Sequence, residues 1–373
     1  MKALIDKNDF IGLERCSWFY SGAETPTHRE VLKAVTEYMT VRSLGPGGRD
    51  RNAETERSCK RNLAELLGSR PEHIALMSSS SEAISMISRA LALAPGDNVV
   101  LHVLEFPSGV LPWLALKRDG VEVRVVQHRD WEVDEADILS RVDGRTKLVM
   151  TSHVSYLNGF RFDYRKLYER IAKTDALLLL DATQSLGVVP VDASMADFVV
   201  ASSYKWLLSV HGGGILAVNP KRTAHMMPTY VGWRSVADNP DGSDRFETFA
   251  FQPDARRFEL GYPAYPTVYA LERSTRLLLD VGIGNVERHV AALGDVLIPF
   301  LASLKLDVTT PPDAGRRAGN ITFRHDEAEA VAARLRKRGI YVMGGDGRVR
   351  ISVHAFNDSA DVETLIGQLP DCL

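Results

Sequence analysis

The chain has 373 residues, of which 45% are hydrophobic and 25% charged, with a formal net charge of −3. Such a composition is ordinary for a globular protein and gives no electrostatic reason to bind nucleic acid. A single core stops growing at roughly 250 to 300 residues, so a large domain with a smaller companion is expected.

The opening residues, Met1-Lys-Ala-Leu-Ile-Asp-Lys-Asn-Asp9, place charges where a signal peptide needs an apolar stretch. Apolar runs such as residues 176–180 are too short to span a bilayer, so a cytoplasmic protein with no membrane partner is expected. The three cysteines, Cys16, Cys59 and Cys372, show neither Cys-x-x-Cys nor zinc-like Cys/His spacing. No disulfide framework and no metal is expected.

In chain order, residues 42–52 are rich in Gly and Arg and read as a mobile loop, either a plain surface connection or one facing a substrate. Residues 54–67 read as a helix and 73–77 as a strand. Residues 80–93 carry apolar side chains at Ala83, Ile84, Ile87, Ala90 and Leu91, a helical spacing that Pro95-Gly96 stops. Strands are expected at 98–103, 121–126, 146–152, 177–181 and 198–202. The Gly212-Gly213-Gly214 turn then introduces another at 215–218. Strands alternating with helices indicate crossover units and a mostly parallel sheet.

Beyond residue 255 the texture changes. A long helical stretch over 267–304 precedes an alternation around 321–324, 331–338, 340–343 and 348–353, the pattern of a small α+β unit. The expected division is a large α/β domain over 20–255 and a small domain over 256–373 joined by 1–19.

Three segments carry chemistry. In Met77-Ser-Ser-Ser-Ser-Glu-Ala83 a strand gives way to a helix, so hydroxyls and free backbone N–H groups converge on an anion site. Plain N-capping would need only one of those serines. Asp181-Ala-Thr-Gln184 follows a strongly apolar strand, placing Asp181 at the carboxyl edge of the sheet, where open α/β folds bind ligands; an aspartate there could equally cap the next helix. Lys205 follows Ser202-Ser-Tyr204 at another strand end and precedes Trp206. A lysine has an ordinary pKa near 10.4 and becomes a nucleophile only where burial or a cationic neighbour lowers that value. A lysine beside an aspartate at a sheet edge matches the Schiff-base lysine and ring-nitrogen partner of pyridoxal phosphate (PLP) enzymes.

The segments Asp181-Ala-Thr-Gln-Ser-Leu-Gly187, Ala196-Asp-Phe198 and Ser202-Ser-Tyr-Lys-Trp206 closely resemble the class V aminotransferase family. These fold-type I PLP enzymes include cysteine desulfurases, selenocysteine lyases, kynureninases and isopenicillin-N-epimerase-like proteins. The resemblance implies a large domain with a mixed, mostly parallel sheet between helices and a smaller α+β C-terminal domain. By its motifs, Lys205 carries the cofactor, Asp181 partners its ring nitrogen and Gln184 its ring hydroxyl. Ser80, Ser81, Ser202 and Tyr204 hold its phosphate, Phe106 stacks on its ring, and Asn158 makes a polar contact to ring or substrate.

The resemblance further implies that Arg350, in Val349-Arg-Ile-Ser-Val-His-Ala-Phe-Asn357, grips a substrate carboxylate, where a guanidinium forms a planar bidentate pair. An exposed salt bridge is the bland alternative. It implies a homodimer with active sites completed across the interface. Tyr262 stands where relatives place a threonine that touches the neighbouring subunit's phosphate, and Trp233 is either a contact there or ordinary packing. Desulfurases need a cysteine on the loop before the arginine, and residues 339–348 contain none, so the sequence is expected not to be a persulfide-type cysteine desulfurase. The expected activity is PLP-dependent chemistry on a small amino acid or amine, with transamination first. C–S or β-elimination and epimerisation are the enzymatic alternatives, and a catalytically inactive binding module the non-enzymatic one.

Overall fold

The computed structural model describes residues 1–237 and 246–373. In chain order the strands among them are β1 (Ser17–Phe19), β2 (Ile74–Met77), β3 (Asn98–His102), β4 (Glu122–Val126), β5 (Thr146–Ser152), β6 (Leu177–Asp181), β7 (Phe198–Ser202), β8 (Gly214–Val218), β9 (Asp307–Val308), β10 (Asn320–Arg324), β11 (Ile340–Gly345) and β12 (Arg348–Ser352).

A seven-stranded sheet has the order β2-β8-β7-β6-β5-β3-β4. Strands β4, β3, β5, β6 and β7 pair in parallel, while β8 runs antiparallel to both β7 and β2. Two reversals return β2 to the direction of β7. Strand β6 reads Leu-Leu-Leu-Leu-Asp and every residue is buried, as a strand covered on both faces requires. The carboxyl ends of β2, β3, β5, β6 and β7 therefore share one edge, with Ser152 opposite Asp181. Helix Ser80–Ala90 begins at that same edge. Gly214 opens β8 against it: a Cβ there would stand 2.2 Å from the Ser79 carbonyl carbon, so only glycine lets strand and helix start close up.

A five-stranded sheet has the order β1-β11-β12-β10-β9. The N-terminal β1 joins it in parallel, pairing Ser17 with Ile340, and the other pairings are antiparallel. Trp206 connects the two sheets. Its fully buried ring stacks on His354 at 5.4 Å, and its indole N–H donates to Gln184 Oε1 at 2.8 Å. Gly319 leaves room for that ring, since a Cβ there would come within 2.6 Å of it. Among the described residues no helix is long and apolar enough to cross a membrane.

Two sequence expectations need correction. Residues 46–52 are not a loop but the start of helix Pro46–Leu66, with proline at its first turn. Gly48 serves packing, because a Cβ there would meet the Val41 carbonyl oxygen at 2.3 Å. Asn52 is anchored by the Tyr269 hydroxyl, which donates to its Oδ1 at 3.0 Å. The stretch 267–304 is two helices, Tyr265–Val281 and Ile283–Ser303, separated by Gly282 at φ +82°. That backbone conformation ends the first helix where apolar spacing alone shows no stop.

Candidate active site

Lys205 leaves the edge of the large sheet three residues beyond β7 and is only 8% exposed. Its Nζ lies 5.3 Å from the centre of the Phe106 ring and 5.6 Å from that of Tyr204. Burial, helped by the nearby Arg350 charge and opposed by Asp181, pushes its amine down to about 8. The neutral amine is the nucleophile, so Lys205 of the cofactor-free protein should react with an aldehyde at a rate that rises with pH to a midpoint near 8. A midpoint at the ordinary 10.5 would mean that the lysine sits in solvent. Between those values the folded chain holds fewer protons than the unfolded one, so this group's contribution to stability rises with pH across the same window.

Asp181 ends β6, buried, and its Oδ1 accepts from the Thr183 backbone N–H at 2.8 Å. Burial raises its carboxyl above the ordinary value, against the pull of those bonds. Gln184 is fixed on three sides: its amide donates to the Gly22 carbonyl, and its Oε1 accepts from Trp206 and from Asn320.

The serine run divides its work. Ser79 caps the helix, accepting from Glu82 N, and Ser78 donates through its N–H and hydroxyl to the Glu82 carboxylate. Ser80 is released from capping, and its hydroxyl meets that of Ser202 at 2.8 Å. Two hydroxyls and the open N-terminus of the helix thus face one point, an arrangement suited to an anion.

Eight of the expected residues line a single cavity: Ser80, Ser81, Phe106, Asp181, Gln184, Ser202, Tyr204 and Lys205. Arg350 lies on β12, 3% exposed, and its Nη1 donates to the Tyr156 carbonyl at 2.8 Å; it is no exposed salt bridge. Burial and then Arg348 push its guanidinium down to about 10.

Asn158 does not reach the cavity. Its Nδ2 donates to the Trp131 and Thr309 carbonyls and its Oδ1 accepts from Phe160 N, so both polar ends are spent on backbone. The expected contact to ring or substrate is corrected accordingly. Trp233 and Tyr262 also lie outside the cavity of their own chain, packed edge to face at 4.8 Å and about half exposed.

The motifs left other residues unread. Tyr156 walls the cavity, its ring edge-on to Phe106 at 5.0 Å. Glu105, just before Phe106, is buried beneath it and accepts from Ser152 N and Oγ, both at 2.6 Å, with His102 Nε2 at 2.7 Å. Burial works against that carboxylate, yet His102 and the hydrogen bonds hold it below its ordinary value. The signal was present in the sequence as a lone acid within the apolar run Val103-Leu-Glu-Phe. Such a group is tolerated inside only when fully hydrogen-bonded.

The family model described as "Aminotransferase class-V" matches residues 17–365. An uncharacterized aminotransferase of Bacillus subtilis, YcbU, is 23% identical over 363 residues, covering 96% of this chain and 95% of its own. A probable cysteine desulfurase of Methanothermobacter thermautotrophicus is 26% identical over 375 residues, 92% of each chain. An apo cysteine desulfurase structure from Thermococcus onnurineus superimposes with a TM-score of 0.90 at 22% identity, covering 100% of this chain and 99% of that one. The fold-type I architecture expected from the motifs is the one found. The exclusion of cysteine desulfurases is overturned: a likeness over 92% of both chains to a probable member is not set aside by one loop that lacks a cysteine.

Proposed function

The chain belongs to the class V aminotransferase family, and from that membership we propose that it removes the α-proton of a small amino acid with Lys205 and then transfers the amino group. The family's cofactor is pyridoxal 5'-phosphate. The residues present fit it: the Ser80–Ser202 hydroxyl pair at an open helix start suits a phosphate, and Asp181 is a buried acceptor suited to a protonated ring nitrogen. When bound, the cofactor supplies an electron sink for the bond broken at the substrate's α-carbon.

Each residue then has a task. Lys205, with an amine near 8, can both take and return a proton at Nζ close to neutral pH. The Asp181 carboxylate, costly to bury alone, would hold a proton on the ring nitrogen of the bound cofactor by charge. Phe106, lining the cavity beside Lys205, would help hold the bound cofactor and exclude water from it. Gln184, locked by Trp206 and Asn320, presents a fixed amide. Arg350 binds the substrate carboxylate as a two-pronged donor. The pairing of Lys205 with Asp181 on adjoining strand ends is the single observation that carries the reading.

Elimination at a C–S bond is the second reading, favoured by the likeness to a probable cysteine desulfurase. A panel of L- and D-amino acids with a keto-acid acceptor, scored for keto acid, pyruvate, sulfide and inverted amino acid, decides between them. Keto-acid formation that depends on the acceptor is expected. Sulfide release from cysteine without it would replace transfer by elimination. The half-exposed Trp233 and Tyr262 pair supports a homodimer joined through that surface, to be read by sedimentation.

A further inference from the structure

We propose that the substrate is an α-amino acid whose side chain carries a second anionic group, with Arg350 holding the α-carboxylate and Arg348 the second acid. This rests on the amino-acid reading above and extends it. Arg348 and Arg350 are two residues apart on β12, so they project from the same face of the strand. They are 5% and 3% exposed. Their partners across the sheet are Gly345 and Met343 on β11 and Arg324 and Thr322 on β10, none of them acidic.

Both guanidinium groups retain unused donors. Arg350 Nε and Arg348 Nε and Nη2 are buried without a hydrogen-bond partner. Arg348 Nη2 does lie 3.2 Å from Asp346 Oδ2, an ion-pair distance at which no N–H is aimed at the oxygen. That carboxylate is 70% exposed, so solvent screens it. A buried arginine ordinarily has its fork filled, because desolvating the charge is expensive unless an anion or carbonyl meets it.

The position of Arg348 ties it to the cavity. Its guanidinium lies over the Tyr156 ring at 5.3 Å, Tyr156 stands edge-on to Phe106 at 5.0 Å, and Phe106 lies 5.3 Å from Lys205 Nζ. Tyr156, which lines the cavity, thus touches both the second arginine and Phe106. A substrate with one acid leaves Arg348 with the Tyr156 ring and hydroxyl and a solvated aspartate, its Nε and Nη2 unfilled, and leaves the two like charges of β12 repelling each other. A substrate with two acids satisfies both forks at once.

The test uses the holoenzyme and two unreactive mimics of similar length, succinate and butyrate, titrated by calorimetry. A charged hydrogen-bonded contact at a buried arginine should favour succinate by about tenfold or more. Arg348→Met should lower succinate affinity to the butyrate level while leaving butyrate within about twofold. Arg350→Met should weaken both. Retention of the cofactor's visible absorbance reports that each variant is folded; if Arg348→Met loses it, Arg348→Lys is read instead, and a smaller succinate preference is expected because the fork is gone. Equal affinities in the wild type, or equal weakening of both mimics by the Arg348 variant, would overturn the proposal and reduce Arg348 to a support for Tyr156. A wild type that binds no cofactor defeats the PLP reading, whereas a loaded enzyme indifferent to the second acid defeats only this one.

Discussion

Lys205→Ala should abolish turnover, with a fall of ~10³-fold or more, and should remove the visible absorbance of the lysine-linked cofactor while leaving the protein folded. General acid–base transfer alone contributes about 10²- to 10⁴-fold, and the same amine also anchors the cofactor. The fold should survive, because folding gains nothing from a buried amine: burial lowers it to about 8 and so penalises its charged form. Thermal denaturation of the cofactor-free variant is therefore expected to match or exceed that of the wild type at pH 7. Normal turnover in this variant would remove Lys205 from the reaction.

Asp181→Asn separates two roles that Lys205→Ala merges. Asparagine keeps an oxygen for the Thr183 N–H and the same shape, so the cofactor should still bind. The negative charge beside the ring nitrogen is lost, and breaking a buried charge pair costs about 3 to 5 kcal/mol, or roughly 10²- to 10³-fold or more in the proton-abstraction step. Stability should move the other way. The folded carboxyl is raised above its ordinary value, chiefly by burial, so its contribution is present at low pH and is lost as pH rises through the folded value. That contribution is therefore smaller in the cofactor-free wild type as pH rises, and the asparagine variant, which carries no such penalty, should melt no lower. Single-turnover decay of an α-deuterated substrate measures the first effect and calorimetric melting the second. Unchanged proton abstraction would end the electron-sink role for Asp181.

The elements that were legible in the sequence are those with one face or both faces committed to the core. The run Leu177–Leu180 is apolar throughout because neighbours cover both of its sides, and β5 and β7 read equally well. Helix Ser80–Ala90 announced itself through its spacing and its serines. The beginning of helix Pro46–Leu66 did not, since Gly48 is there to let helices touch, a reason visible only when Val41 is seen against it. Asn158 misled for a related reason: its motif position says polar, but the carbonyls of Trp131 and Thr309, distant in sequence, claim its amide.

By itself the sequence determined the chemistry-bearing residue types and the strand ends that deliver them. A lysine, an aspartate and a run of serines after apolar strands must emerge at a sheet edge, because side-chain alternation and burial leave no other outlet. The tertiary structure decided what depends on contacts between distant segments: that Ser79 rather than Ser80 caps the helix, that Glu105 is held in the interior by Ser152 and His102, and that Tyr156 walls the cavity. It also decided that Arg348, unremarkable as one basic residue among many, is buried beside Arg350 with donors to spare. Charge and burial combine only after folding, and a guanidinium acquires its demand for a partner when the chain removes its water.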